Sequence, residues 1–142
     1  MIIVPFQAEH VEQITVQSSQ ICEINWFGSP EYIKSLESGI AYTGIVDGVV
    51  MACAGLMQIW PGRYYAWALL TDQMSPHHMI AITRAVRRGL HLIPNARVEA
   101  IVQSDFEMGH RWMGLLGFTR ETPEPMRRYY PDGQDAVLYA RV

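Results

Sequence analysis

The sequence predicts one α/β domain of the α+β kind, with about seven strands and about four helices spread over residues 1–142. Three observations predict it. Asp47-Gly48 lies between two β-rich runs, Ile40–Val46 and Val49–Ile59, and such a pair supplies the positive φ angles of a tight hairpin. Ser29-Pro30 and Ser75-Pro76 each join an N-cap hydroxyl to a proline at the first helical position. Leu116-Gly117-Phe118 places a C-capping glycine between a helical run and a strand-like one.

In chain order, Met1–Val4 reads as a short strand closed by Pro5. Val11, Ile14, Ile21 and Ile24 recur at helical spacing among polar residues, which predicts an amphipathic helix. A short helix starts at Ser29-Pro30-Glu31 and stops near Gly39, and the hairpin follows. Gly55 within the second hairpin strand marks a bulge or a close backbone contact. A turn at Trp60-Pro61-Gly62-Arg63 leads into a third antiparallel strand, Tyr64–Thr71. The longest helix spans about Pro76–Leu92, with Met79, Ile82, Val86 and Leu90 as its apolar stripe and Arg84, Arg87, Arg88 and His91 opposite. Arg97–Val102 is a strand, Asp105–Leu116 a helix, and Phe118 begins another strand. A proline-rich loop, Pro123–Pro131, precedes the last strand, Ala136–Val142. There is no internal repeat or linker, so 1–142 reads as a single domain.

Hydrophobic residues make up 49% of the chain and charged residues 18%, a globular balance. A net charge of −3 gives no global attraction to nucleic acid or to anionic membranes. The longest apolar run, Val49–Met57, is half of what a membrane span needs. Cys22 and Cys53 lie far apart with no metal-ligand or redox spacing, and read as free buried thiols of a reducing compartment. A soluble, cytoplasmic protein with no membrane partner is expected. No metal constellation, Gly-x-Ser-x-Gly elbow or Walker loop is present.

The element order, strand, two helices, three meander strands, long helix, strand, helix and two strands, resembles the GNAT N-acetyltransferase superfamily over nearly the whole chain. Two stretches carry most of the resemblance. Ile45-Val46-Asp47-Gly48-Val49-Val50-Met51-Ala52-Cys53-Ala54-Gly55-Leu56 is similar to the superfamily's second hairpin. His110-Arg111-Trp112-Met113-Gly114-Leu115-Leu116-Gly117-Phe118 is similar to its last helix, which ends in Leu-Gly-Phe. The tail Asp132–Tyr139 is similar to the final strand. The resemblance implies a central mixed, mostly antiparallel sheet whose fourth and fifth strands splay apart. It also implies acetyl-CoA as cofactor and a small-molecule or peptide amine as acyl acceptor.

The departures from the family pattern are specific. The Gln/Arg-x-x-Gly-x-Gly/Ala loop, whose N–H groups hold the coenzyme pyrophosphate, is replaced by Leu70-Thr71-Asp72-Gln73-Met74-Ser75-Pro76-His77-His78, without a glycine. The tyrosine that serves as general acid aligns with Met113, and Tyr64–Leu70 contains no acid to act as a base. Divergent chains of this kind resemble GNAT-like proteins of tailed bacteriophages. That resemblance carries an alternative, a non-catalytic virion-associated or host-protein-binding module located in the host cytoplasm or the virion. A phage or host protein, or a second copy of this chain, would then be the partner.

For the enzyme reading, backbone groups of Leu69, Leu70 and Thr71 are candidates to pair with pantetheine amides. Ser75, His77 and His78, at the start of the long helix, are candidates for the phosphates. Gln73 and Trp112 complete the candidate cofactor residues. His110 is the first candidate acid, because it lies on the helix that usually bears one and imidazole titrates near neutrality. Tyr64 or Tyr65 offers a hydroxyl, and strand alternation lets only one of the two face the cleft. Glu99, an acid among Val98, Ala100 and Ile101, is the candidate base. Arg127-Arg128-Tyr129-Tyr130 is expected to border the acceptor site or a dimer contact.

Overall fold

Asp47 and Gly48 adopt φ angles of 49° and 78°, the left-handed pair that the hairpin requires. The hairpin they close supplies the second and third strands of a seven-stranded sheet in a computed structural model that describes residues 1–20 and 29–142. The strands are β1 (Ile2–Pro5), β2 (Ile40–Val46), β3 (Val49–Trp60), β4 (Arg63–Leu70), β5 (Arg97–Gln103), β6 (Thr119–Arg120) and β7 (Ala136–Arg141). Their order across the sheet is β1-β2-β3-β4-β5-β7-β6. Only the β4–β5 pair is parallel, because the chain crosses over between these two strands through a helix.

Four α-helices are described: α1 (His10–Gln13), α2 (Pro30–Ser35), α3 (Pro76–His91) and α4 (Glu107–Leu115). Both Ser-Pro starts form as the sequence predicts. The Ser29 hydroxyl accepts from the Tyr32 N–H and the Ser75 hydroxyl from the His78 N–H, each satisfying a donor the helix itself leaves open. Gly117, at φ 85°, stops α4.

The two faces of the sheet carry separate cores. Phe6, Val11, Ile14, Leu36, Cys53, Trp67 and Leu69 form one, beneath α1 and α2. Leu90, Val98, Ala100, Val102, Met113, Leu116, Phe118 and Val137 form the other, beneath α3 and α4. The strict alternation of β5 sends Val98, Ala100 and Val102 to the second core. Cys53 is fully buried and burial pushes its thiol up to about 11, which makes it inert at neutral pH. Cys22 lies outside the described residues.

Gly55 is a close-contact glycine and not a bulge. A Cβ there would come within 2.7 Å of the Ile40 carbonyl oxygen and 2.8 Å of the Ala41 Cβ. The register shifts fall instead between Gly44 and Ile45 and between Gln58 and Trp60.

One expected element is much shorter. The Val11, Ile14, Ile21, Ile24 periodicity predicts a continuous helix, yet α1 ends at Gln13 and Ile14 is extended, with φ −87° and ψ 132°. Ile21 and Ile24 lie outside the described residues. The cause is tertiary: Val16 forms an antiparallel bridge with Thr71, so the backbone pairs with the end of β4 and not with itself.

Candidate functional site

β4 and β5 pair only at their beginnings. Arg63, Tyr64 and Tyr65 lie opposite Arg97, Val98 and Glu99, and no pairing continues beyond Tyr65 and Glu99. β4 nevertheless runs on to Leu70 and β5 to Gln103. The gap between them is the wedge that the resemblance implies.

Alternation along β4 decides which backbone groups face the wedge. The Thr71 N–H donates to the Met51 carbonyl at 2.9 Å, so Thr71 turns its backbone toward β3, and Leu69, two residues earlier and opposite Cys53, shares that orientation. Of the three backbone candidates only Leu70 faces the wedge. Ala68, which the sequence reading missed, faces it as well.

The wedge-facing groups from Ala68 to Asp72 are engaged by residues 15–20. The Gln20 Nε2 donates to the Ala68 carbonyl at 2.6 Å, and the Leu70 N–H donates to Gln20 Oε1 at 2.8 Å. The Gln17 N–H donates to the Leu70 carbonyl at 3.0 Å, and the Asp72 N–H to the Thr15 carbonyl at 3.1 Å. A side-chain amide thus does what the backbone of a neighbouring strand would do. Nothing in the hydrophobic periodicity of residues 11–24 indicates this, because the contact spans about fifty positions of sequence.

The turn from β4 into α3 is also partly self-satisfied. The Gln73 N–H donates to Thr71 Oγ1 at 3.3 Å, and Ser75 Oγ accepts from the His78 N–H at 3.2 Å. Pro76 has no N–H to offer. Gln73 and His77 are exposed, and His78 is half-buried. Its Nδ1 is buried without a hydrogen-bond partner among the described residues.

A cavity of about 420 Å³ opens from the wedge and extends beneath α3. Gln17, Ser19, Gln20, Ala68 and Leu70 line it at the wedge. Ser19 Oγ is buried and has no hydrogen-bond partner among the described residues. Of the two adjacent tyrosines, Tyr65 lines the cavity while Tyr64 packs into the core beneath α3 and α4. Trp112 and Met113 line it from α4, and the Trp112 indole N–H donates to Thr83 Oγ1 on α3 at 2.9 Å. Met113 thus brings a thioether to the cavity wall. From the proline-rich loop Tyr130 reaches the same cavity.

The two other catalytic candidates stand apart from the cavity lining. His110 has both ring nitrogens engaged. Nε2 lies 2.8 Å from the Ser104 carbonyl, to which it must donate, and Nδ1 lies 2.7 Å from the Tyr139 hydroxyl. Tyr139 is buried, and that burial pushes its phenol above the ordinary range. His110 therefore ties α4 to the β5 end and to β7 through both ring nitrogens. Glu99 bonds the Arg63 guanidinium twice, at 2.8 and 2.9 Å, and accepts a 2.8 Å bond from Arg97, which in turn pairs with Glu121. The Arg63 hydrogen bonds, reinforced by Arg97, hold the Glu99 carboxyl at about 2. A carboxyl so held is a weak base. Among the described residues, no group of three or more metal-ligating side chains occurs, and no helix is long and apolar enough to cross a membrane.

The strand order, the single parallel pair and the wedge together define the GNAT fold. Solved structures agree over essentially the full length. The ribosomal-protein-S18-alanine N-acetyltransferase of Escherichia coli superposes with a TM-score of 0.72 at 18% identity, covering 98% of this chain and 91% of that one. Ard1 from Thermoplasma volcanium gives 0.73 at 16% identity, with 99% and 95% covered. An N-acetyltransferase from Staphylococcus aureus gives 0.74 at 9% identity, with 99% and 96% covered. No protein-family model matches the chain, and no curated protein matches it in sequence.

Proposed function

We propose that this protein is an N-acyltransferase that uses an acyl-coenzyme A thioester, acetyl-CoA being the simplest, and acylates an amine of a small molecule or peptide. The parting of β4 from β5 after Tyr65 and Glu99 is the observation that supports this reading. It gives Ala68 and Leu70 backbone groups that an amide-bearing chain can pair with, beside a cavity of about 420 Å³.

The Ala68 carbonyl and the Leu70 N–H fit a pantetheine arm once the Gln20 carboxamide moves aside, since that group already demonstrates the amide geometry the β4 edge accepts, while the Leu70 carbonyl stays with the Gln17 N–H. His77 and His78, at the start of α3, are the side chains that would meet phosphate, aided by the partial positive charge of the helix end. The thioester supplies an acyl carbon whose bond to sulfur breaks as the bond to the amine nitrogen forms, with the amine proton ending on the coenzyme thiol. Tyr65 and Tyr130 are among the hydroxyl-bearing side chains that line the cavity, whereas His110 and Glu99 do not line it.

A native-state ligand raises the melting temperature by mass action, so coenzyme A at millimolar concentration should shift melting upward. No shift for the native chain, combined with none for the Gln20→Ala variant, would defeat the proposal. A second reading has one observation in its favour: Gln20 already fills the Ala68–Leu70 edge. On it, the chain is a non-catalytic GNAT-fold phage protein that binds virion or host proteins. Co-purification with phage particles, together with unchanged melting in coenzyme, would support that reading over the first.

A further inference from the structure

The sheet beneath α3 is floored with alanine. Ala54 on β3 lies opposite Ala68 on β4, Ala66 lies opposite Leu56, and Ala52 lies opposite Leu70, so all of these side chains share one face. Ala100 continues the floor on β5, and Ala85 faces it from α3. Central strands of a seven-stranded sheet under a helix ordinarily bury such positions completely. Here Ala54, Ala66 and Ala68 are only half-buried, although the flanking Ala52, Leu56, Leu70 and Ala100 are buried. The cavity reaches them from within.

That cavity is continuous with the wedge, since Gln20 and Leu70 line it along with Ala54, Ala66 and Ala85. Its walls are predominantly aliphatic and aromatic, with Ile82, Val86 and Trp112 above the alanine floor. With the pantetheine arm at the Ala68–Leu70 edge of this cavity of about 420 Å³, a two-carbon acyl group would leave the part beneath α3 unfilled. Sites of this size and lining suit an extended apolar group held by a few polar contacts at one end.

Resting on the acyltransferase reading, we infer that the donor is a medium-chain acyl thioester whose hydrocarbon chain lies on the alanine floor beneath α3. The continuity of the cavity with the Ala68–Leu70 edge commits the space to the acyl chain of the same donor, in preference to a separate ligand. Chain length then becomes the specificity determinant, and the small side chains at 54, 66 and 85 set it.

Binding of coenzyme A, acetyl-CoA, butyryl-CoA, hexanoyl-CoA and octanoyl-CoA to the full chain, measured by titration calorimetry, tests this. Each added methylene that leaves water should tighten binding about fourfold until the cavity is filled. Ala54→Leu should flatten that series while leaving coenzyme A affinity unchanged. Ala85→Leu, on a helix that tolerates leucine, should do the same if the strand variant does not fold, as checked by its melting. Equal affinity for coenzyme A and for every acyl form would overturn the medium-chain inference and leave the acyltransferase reading standing. No binding of any member, coenzyme A included, would overturn that reading and the inference with it. An unflattened series in both variants that fold would remove the alanine floor as the chain's location.

Discussion

The Gln20 side chain pairs with the Ala68 backbone as a neighbouring strand would, its amide nitrogen 2.6 Å from the Ala68 carbonyl oxygen. The same carboxamide accepts from Leu70, two residues along, so donor and acceptor are matched to the pleat of β4. Any amide-containing ligand that uses this edge must compete with Gln20.

Gln20→Ala is accordingly expected to tighten coenzyme A binding by about tenfold, because the ligand no longer displaces a pair of hydrogen bonds each worth roughly 0.5–1.5 kcal/mol net. Titration calorimetry on both proteins checks this. Weaker binding in the variant would make Gln20 a ligand contact and not a competitor.

His110 is expected to matter for stability. Replacing it with Ala leaves the buried Tyr139 hydroxyl and the Ser104 carbonyl without their partner, which costs about 1–3 kcal/mol. Urea unfolding should register the loss as a lower midpoint with an unchanged slope. Tyr139→Phe should cost less, since it removes the buried hydroxyl along with its bond. Coenzyme A affinity of the folded His110→Ala protein should match that of the native chain.

The Glu99 cluster predicts a pH dependence. A carboxyl held at about 2 when folded, against an ordinary value near 4.5, makes a stabilising contribution that is fully present above the ordinary value. That contribution fades as pH falls toward the folded value. The native melting temperature should therefore drop between about pH 5 and pH 2, and Glu99→Gln should flatten that part of the curve. The cluster also closes the base of the wedge, because Arg63 and Arg97 are paired residues of β4 and β5.

Gly55→Ala is expected to destabilise by about 1–3 kcal/mol, as overpacking does in a close-packed core. The new methyl would lie 2.7 Å from the Ile40 carbonyl oxygen and 2.9 Å from the Trp67 ring, and the carbonyl belongs to backbone that cannot rotate away. Thermal unfolding checks it, and an unchanged melting temperature would mean that β2 shifts without strain.

Elements governed by local chemistry were legible in the sequence. The Asp47-Gly48 turn, the Ser29 and Ser75 caps and the Gly117 stop depend on φ preferences and capping hydroxyls. With the resemblance to GNAT proteins, that was enough for the fold and for the wedge between β4 and β5. The site was legible only in part: Leu70 faces the wedge, while Leu69 and Thr71 turn toward β3, because pairing phase is fixed by the partner strand. The histidine and the glutamate singled out for chemistry are tied to Tyr139, Ser104, Arg63 and Arg97, partners chosen by folding and not by spacing along the chain.

By itself the sequence determined the Asp47-Gly48 hairpin, the helix starts at Ser29 and Ser75 and the stop at Gly117, since each follows from interactions within a few residues. Tertiary structure alone decided that residues 14–17 leave the helix to pair with β4, that Gln20 fills the edge β5 vacates, and that alanines on three strands floor one cavity. Those outcomes come from backbone groups and side chains meeting across the sheet, where hydrogen bonds must be satisfied and volume filled whatever the local propensity favours.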